Sequence, residues 1–387
     1  MALVAGGVFA GFRLFRTQHS APSASAAHPT GSSITAPAPL AAPVPPGCPD
    51  VTAALGSMSK RDKLAQLLMV GVTGAADARA VVADLRVGGI FITSWTDLSM
   101  LTDGSLTEIA GAAGPLHLAV SVDEEGGRVQ RLKSLIGSAQ SARVLGQTLS
   151  PEQVYQAALD RGRKMRKLGI TVDFAPVVDV TDAPDDTVIG DRSFSDDPAM
   201  VTTLAGAYAR GLRDAGILPV LKHFPGHGRA SGDSHKNGVI TPSLDELKKF
   251  DLVPYQTLTA QLPVGVMIGH MEVPGLTDTD PASLSPSAVA LLRNGTGYGG
   301  QPFNGPVFTD DLGSMKAITD RYMVSDAVLK ALQAGADTAL WITTTEVPAV
   351  LNRLEQALAS GELTLPKIEA SVRRMALAKA LGSGCGR

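Results

Sequence analysis

The sequence predicts an α/β chain folded as a single (β/α)₈ barrel of the TIM type behind a disordered N-terminal tether, and three observations lead there. From about residue 50, short apolar runs alternate with amphipathic stretches of helical period, the pattern of βα units on a parallel sheet. These runs number eight. Polar residues able to do chemistry, Asp123, Asp173, Lys222, His270, Asp310 and Thr343, fall at the ends of six different runs. In such a barrel the carboxyl ends of the strands converge on one mouth, where side chains meet a ligand. A doubly wound open sheet is the alternative, but no Gly-x-Gly-x-x-Gly turn follows the first run.

Taken in order, the apolar runs are 67–71, 89–93, 116–122, 170–174, 217–221, 264–268, 306–309 and 337–342. Three helices between them carry explicit boundary signals. The stretch 151–168 starts after Ser150 with Pro151 in its first turn and stops at Gly169. The stretch 198–215 starts at Pro198 and stops at Gly216, and a third, 245–258, follows a Ser243 cap. Before the barrel, residues 1–16 are apolar but broken by Arg13, shorter than the roughly 20 residues that span a bilayer. They lack the basic start of a signal peptide, and are expected to be an export-signal remnant or a weak anchor. Residues 17–49 are dominated by Ala, Pro, Ser and Thr, which bury too little to fold, so a disordered tether is expected there. The barrel then takes 50–387. An apolar start, a tether and a globular body suit an exported protein of the cell envelope, held peripherally to membrane or wall.

Composition narrows the class. Of 387 residues 44% are hydrophobic, enough for a sizeable core, and the net charge of −3 offers no basic excess for a nucleic-acid partner. A monomer is expected. The two cysteines, Cys48 and Cys385, are too far apart for a zinc or redox motif. In an exported protein they would form a disulfide joining the two ends; in a cytosolic one they are two thiols. Lipidation of Cys48 is not expected, because Pro45-Pro46-Gly47 precedes it.

The stretch Leu221-Lys-His-Phe-Pro-Gly-His-Gly-Arg-Ala-Ser-Gly-Asp-Ser-His235 carries Lys222, His223, His227, Arg229, Asp233 and His235, more ionisable capacity than a surface loop needs for solubility. Its glycines at 226, 228 and 232 suggest a mobile loop that closes over a ligand. Asp310, in Phe308-Thr-Asp-Asp-Leu312, could be a nucleophile, a base or a metal ligand, and Asp311 could cap the next helix. His223 and His227 with Asp233, His235, His270 and Asp310 would be the set for a metal-dependent hydrolase. Phe-Pro-Gly between the two histidines keeps them off one helix face, so no metal is expected.

Four ordered motifs, Ser121-Val-Asp-Glu-Glu-Gly-Gly-Arg-Val-Gln-Arg131, Gly190-Asp-Arg-Ser-Phe194, the Lys-His-Phe-Pro-Gly-His-Gly stretch with Gly232-Asp-Ser-His235, and Phe308-Thr-Asp-Asp-Leu312, resemble the bacterial β-N-acetylglucosaminidases of glycoside hydrolase family 3 over nearly all of residues 60–380. The tether and terminal cysteines resemble the actinobacterial envelope lipoproteins of that family, although a lipobox cysteine is lacking. The resemblance implies a retaining exo-enzyme without cofactor that removes terminal N-acetylglucosamine from peptidoglycan or muropeptide fragments. It implies Asp310 as nucleophile, His235 as acid/base with Asp233 as its partner, and Asp123, Arg131, Arg192, Lys222 and His223 as ligands of the terminal sugar. An imidazole can give a proton to the leaving oxygen and take one from water near neutral pH, provided a partner orients it. Blander readings stand beside these: Asp123 with Lys222 as an ion pair, Arg131 as a solvated charge, Arg192 paired locally with Asp191 or Asp196. Two functions compete: a phosphorylase on the same site, since a histidine repels phosphate less than a carboxylate, and a non-catalytic wall-sugar binding protein. Aromatic residues at only 4% favour a pocket for one terminal sugar over a long stacking cleft.

Overall fold

A computed structural model describes residues 50–380; the apolar segment, the tether, Cys48 and Cys385, and with them the expected disulfide, lie outside the described residues. Ten strands are β1 Leu68–Val72, β2 Gly89–Ile92, β3 Ala119–Val122, β4 Glu124–Gly126, β5 Val129–Gln130, β6 Val172–Asp173, β7 Leu218–Phe224, β8 Gly265–Ile268, β9 Val307–Asp311 and β10 Thr338–Trp341. Eight form a closed barrel in the order β1-β2-β3-β6-β7-β8-β9-β10, with β10 returning to β1, and every barrel pair is parallel. The (β/α)₈ barrel expected from the apolar runs is therefore the fold. The two remaining strands, β4 and β5, form a small antiparallel hairpin directly after β3.

The barrel interior is filled. Met69, Phe91, Phe174, Leu218, Val220, Met267, Phe308 and Leu340 form one buried cluster, with Phe174 packed on Phe91 at 5.7 Å and on Phe308 at 5.5 Å between ring centroids. A filled barrel has no through-channel, so a ligand can approach only from the loops. A second, larger cluster lies between the strands and the surrounding helices.

Helix boundaries follow their caps. In the helix Pro151–Lys167, Ser150 and Gln153 close a reciprocal capping box, and Gly169 beyond its end sits at φ +84°. The helix Pro198–Asp214 packs against it at a distance only glycine allows, since a Cβ on Gly211 would lie 2.5 Å from the Tyr155 carbonyl oxygen. The single helix expected over 245–258 is instead two, Leu244–Lys249 and Val253–Gln261. Pro254 can sit in the first turn of the second helix but not inside a continuous one, and Asp251 in the break is drawn into the interior by Arg229 at 2.6 Å. Strand β7 also runs further than expected, to Phe224 rather than residue 221. Lys222 and His223 are thus part of the strand, their polar ends satisfied by partners described below.

Candidate active site

At the carboxyl ends of the strands lies a cavity of about 890 Å³ lined by Asp123, Arg131, Arg192, Lys222, His223, Asp233, His235 and Asp310. The eight residues that the sequence singles out for catalysis or sugar binding thus share one cavity. Of the six strand-end residues, Asp173 and His270 are buried without lining it, and Thr343 is exposed and hydrogen-bonded to Glu346 at 2.5 Å.

The floor is an ion cluster built from the end of β3 with the hairpin that follows it, the end of β7, and the turn Gly190–Arg192. Lys222 Nζ lies 2.7 Å from Asp123 Oδ1 and 2.5 Å from Glu125 Oε1, and Arg192 grips both Glu125 oxygens at 2.8 Å. Arg192 therefore pairs with Glu125 and not with Asp191 or Asp196, and Asp191 is taken by Arg128 at 2.7 Å. Burial alone would lower the Lys222 pKa, but Asp123 and Glu125 outweigh it and raise it; burial would raise Glu125, and Arg192 and Lys222 hold it well below the usual range. Lys222, Glu125 and Arg192 stay charged. The Asp123–Lys222 pair exists, and it still presents Asp123, a fifth exposed in its side chain, to the cavity. Arg131 approaches Asp123 Oδ2 at 3.7 Å, and its buried Nε has no protein partner. Glu124 shapes this floor from below: its Oε2 accepts from the backbone of Arg131 and Leu132, each at 2.8 Å, and Arg161 pairs with its other oxygen. Asp173 Oδ1 accepts from the Glu124 amide at 3.0 Å, and burial raises its pKa well above the ordinary value.

His223 is oriented by Asp179, whose Oδ2 lies 2.7 Å from His223 Nδ1. A carboxylate only accepts here, so the hydrogen is on Nδ1, and Nε2 turns toward Arg192 at 3.5 Å. Asp179 Oδ1 also accepts from the His227 amide at 2.7 Å. Burial would raise Asp179, but His223 and His227 hold its pKa low.

Strand β9 delivers Asp310. Its Oδ1 accepts from the Asp311 amide at 2.9 Å. Burial would raise its pKa, but His270, His223, that amide and Lys222 hold it down at about 2, so it is a carboxylate across any working pH. Beneath it, His270 Nε2 donates to the Asp311 carbonyl at 2.8 Å and Nδ1 accepts from the Ser283 hydroxyl at 2.7 Å, a pairing that fixes the tautomer. Asp311 does not cap a helix as expected. It closes the turn that follows, accepting from Gly313 at 2.8 Å and from the Ser314 hydroxyl, and burial pushes its pKa up to about 6.

The long loop after β7 brings in the third group. Asp233 Oδ1 accepts from both the His235 amide at 3.0 Å and His235 Nδ1 at 2.9 Å, so the ring's Nε2 points away from Asp233. Burial would raise Asp233, but these contacts lower its pKa. The His235 side chain is 59% exposed. The loop base is packed at two of its three glycines. A Cβ on Gly226 would come within 2.4 Å of Asp251 Cβ, and one on Gly228 within 2.2 Å of the Val180 carbonyl oxygen; only Gly232 faces open space. Ser234 is buried, and its carbonyl accepts from the Ala317 amide at 3.2 Å, which ties the loop to the segment after β9.

Glu125 and Asp179 are the residues that sequence reasoning missed. Glu125 stands in the acidic run beside Asp123, and Asp179 interrupts the apolar run Val177-Val-Asp-Val180, where a lone carboxylate needs a buried partner. Among the described residues no group of three or more His, Cys, Asp or Glu is arranged to hold a metal ion.

Residues 59–378 match the model of the glycosyl hydrolase family 3 N-terminal domain. The chain is 65% identical over 364 residues to a β-hexosaminidase, LpqI, of Mycobacterium tuberculosis, covering 93% of this chain and 94% of that protein. It is 34% identical over 287 residues to a β-hexosaminidase of Stenotrophomonas maltophilia, covering 71% and 82%. Among solved structures, a family 3 glycosyl hydrolase of Mycobacterium smegmatis superposes with a TM-score of 0.83 at 72% identity, over 84% of this chain and 98% of that one. A family 3 β-N-acetylglucosaminidase of a Paenibacillus species superposes with a TM-score of 0.79 at 32% identity, over 84% and 63%. A barrel whose mouth carries these motifs, matched over most of its length by such relatives, belongs to glycosyl hydrolase family 3 and groups there with the β-hexosaminidases.

Proposed function

We propose that this β-hexosaminidase-type glycoside hydrolase is a retaining exo-β-N-acetylglucosaminidase, with Asp310 as nucleophile and His235, paired with Asp233, as acid/base. The observation that carries the reading is one cavity lined by an ionised Asp310, the Asp233–His235 pair and a charged floor of Asp123, Lys222 and Arg192. Retaining hydrolysis needs a nucleophile and a proton donor at the same glycosidic bond. In the first step an Asp310 oxygen bonds to the anomeric carbon while the bond to the leaving oxygen breaks and His235 Nε2 gives that oxygen a proton. In the second, Nε2 takes a proton from water, the water oxygen bonds to the same carbon, and the ester to Asp310 breaks. Asp233 holds Nδ1–H throughout, so the exchanged proton belongs to Nε2. The floor supplies acceptors and donors for sugar hydroxyls, with charged partners making the stronger hydrogen bonds. His223, fixed by Asp179, adds a directed ring nitrogen.

The natural substrates proposed are peptidoglycan or muropeptide fragments ending in N-acetylglucosamine, met outside the cytoplasm. The apolar segment 1–16 and the tether 17–49 would hold the barrel at the envelope. Among the described residues no helix is long and apolar enough to cross a membrane. The relatives named β-hexosaminidases and the Paenibacillus β-N-acetylglucosaminidase support the sugar assignment.

The test is release of nitrophenol from p-nitrophenyl N-acetyl-β-glucosaminide, with EDTA present. Wild type is expected to turn over, and Asp310→Ala to lose at least about 10³-fold in kcat, as covalent enzymes do without their nucleophile. Loss of activity with EDTA, or retention by Asp310→Ala, overturns the assignment. Phosphorolysis is the second reading, favoured by an imidazole standing where a second carboxylate is usual; a rise in rate with phosphate and a sugar-phosphate product would establish it.

A further inference from the structure

The chain has two tryptophans, and the fold uses them in opposite ways. Trp341 at the end of β10 is fully buried, whereas Trp95, in the loop after β2, lines the catalytic cavity and is 54% exposed. An indole left that exposed forgoes much of the burial that makes tryptophan favourable, so its position calls for a reason. Its backbone is not free. The Thr96 hydroxyl donates to the Val72 carbonyl at 2.6 Å and accepts from the Thr93 amide at 2.9 Å; both threonines are buried. The Asp97 amide donates to the Thr73 carbonyl at 2.9 Å. Trp95 thus stands on a turn tied to the end of β1, and a ligand resting against it would order little further chain.

The cavity's two halves differ in chemistry. Its floor is saturated with charge, and the Lys222 side chain there is only 3% exposed. His235 in the same lining is 59% exposed, and its proton goes to the leaving oxygen, so the leaving group lies on the solvent side of the cavity, where Trp95 is also exposed. The floor suits hydroxyls. An exposed indole suits the apolar C–H face of a sugar ring.

Resting on the assignment of Asp310 and His235, we propose that Trp95 is the platform of a leaving-group subsite that stacks the pyranose ring released by cleavage. The subsite would bind a ring one bond beyond the terminal sugar and so set which glycosides are cleaved well.

The test compares two substrates sharing the terminal N-acetylglucosamine, the β-1,4 disaccharide N,N′-diacetylchitobiose and N-acetyl-β-glucosaminyl azide, which has no ring in the leaving position. Trp95→Ala is expected to lower the ratio of kcat/KM for disaccharide over azide by about tenfold, through KM more than kcat, and Trp95→Phe to restore most of it. Equal losses on both substrates, or no loss on the disaccharide, overturn the proposal. Binding is read independently of turnover in Asp310→Asn protein by tryptophan fluorescence. Chitobiose is expected to change the emission more than N-acetylglucosamine does, and a Trp95→Phe background to remove the difference, since Trp341 is buried. Identical responses to the two sugars sink the subsite. If wild type cleaves neither substrate, the assignment of the reaction fails, and the fluorescence comparison still decides the subsite by itself.

Discussion

At the scale of single residues, the proposed chemistry rests on two ionisable groups held in opposite settings. Asp310 is hemmed in by His270, His223, Lys222 and the Asp311 amide, which keep it a carboxylate, while His235 stands in the open with one nitrogen committed to Asp233. A nucleophile must always be ready, and an acid/base must exchange protons with water. The division makes a specific claim about leaving groups. His235→Ala should lower kcat/KM, which reports the first step alone, by about 10²–10⁴-fold on chitobiose, the usual value of a positioned general acid, and much less on the nitrophenyl glycoside, whose leaving group needs no proton. Equal losses in kcat/KM on the two would show that His235 is not the acid. That these residues line one cavity is legible in the sequence, because Asp310, Asp233 and His235 lie in short, distinctive runs at or after strand ends. Glu125 and Asp179 are not legible in that way. Their partners, Arg192 and His223, stand 67 and 44 positions away, and no local pattern reports a pairing of that span.

At the scale of elements, the eight apolar runs sufficed to find every barrel strand, because burial on both faces leaves a continuous apolar stretch. Strand ends were harder. Lys222 and His223 look like the start of a loop, yet they continue β7 because Asp123, Glu125 and Asp179 compensate their burial. The loop beyond shows a related ambiguity. Glycine in sequence signals freedom, but at 226 and 228 it answers to close neighbours, Asp251 and the Val180 carbonyl, that only the fold brings near. The difference can be measured. Gly228→Ala should displace the loop base, lowering both the melting temperature and kcat, whereas Gly232→Ala, with nothing within 4 Å, should leave the melting temperature unchanged. Similar behaviour of the two variants in thermal unfolding and steady-state assays would mean the loop base is not packed as described.

At the scale of the whole molecule, the amino end of the barrel is closed by the last helix, Leu365–Lys379, where Met375 and Ala378 join the interior cluster. Lys379 there is buried and donates to the Gly88 carbonyl at 2.6 Å, and burial pushes its pKa down to about 7. The unfolded chain keeps that proton to about pH 10.5, so above 7 the unfolded state binds more protons than the folded one. Stability from this group must then rise with pH from about 7 upward and be lowest below it. Urea unfolding of wild type and Lys379→Met at pH 6 to 9 should show wild type gaining on the variant by roughly 1 kcal/mol per pH unit above 7, and a constant gap would show that the folded protein keeps the Lys379 proton, refuting the lowered pKa. The two ends of the described chain also meet. Arg373 donates to Thr52 at 2.9 Å, and Lys63 pairs with Glu369 at 2.7 Å, so the first two helices are fastened to the last one. Together with the pairing of β1 and β10, this makes the barrel a ring in which each strand's neighbours in space are its neighbours in chain order. A ring has no intrinsic first member. The same strand pairs and the same mouth would survive if the chain were joined end to end and opened elsewhere, for instance at Gly114 before β3, so the order of the genetic text is one of several circular permutations that spell the same enzyme.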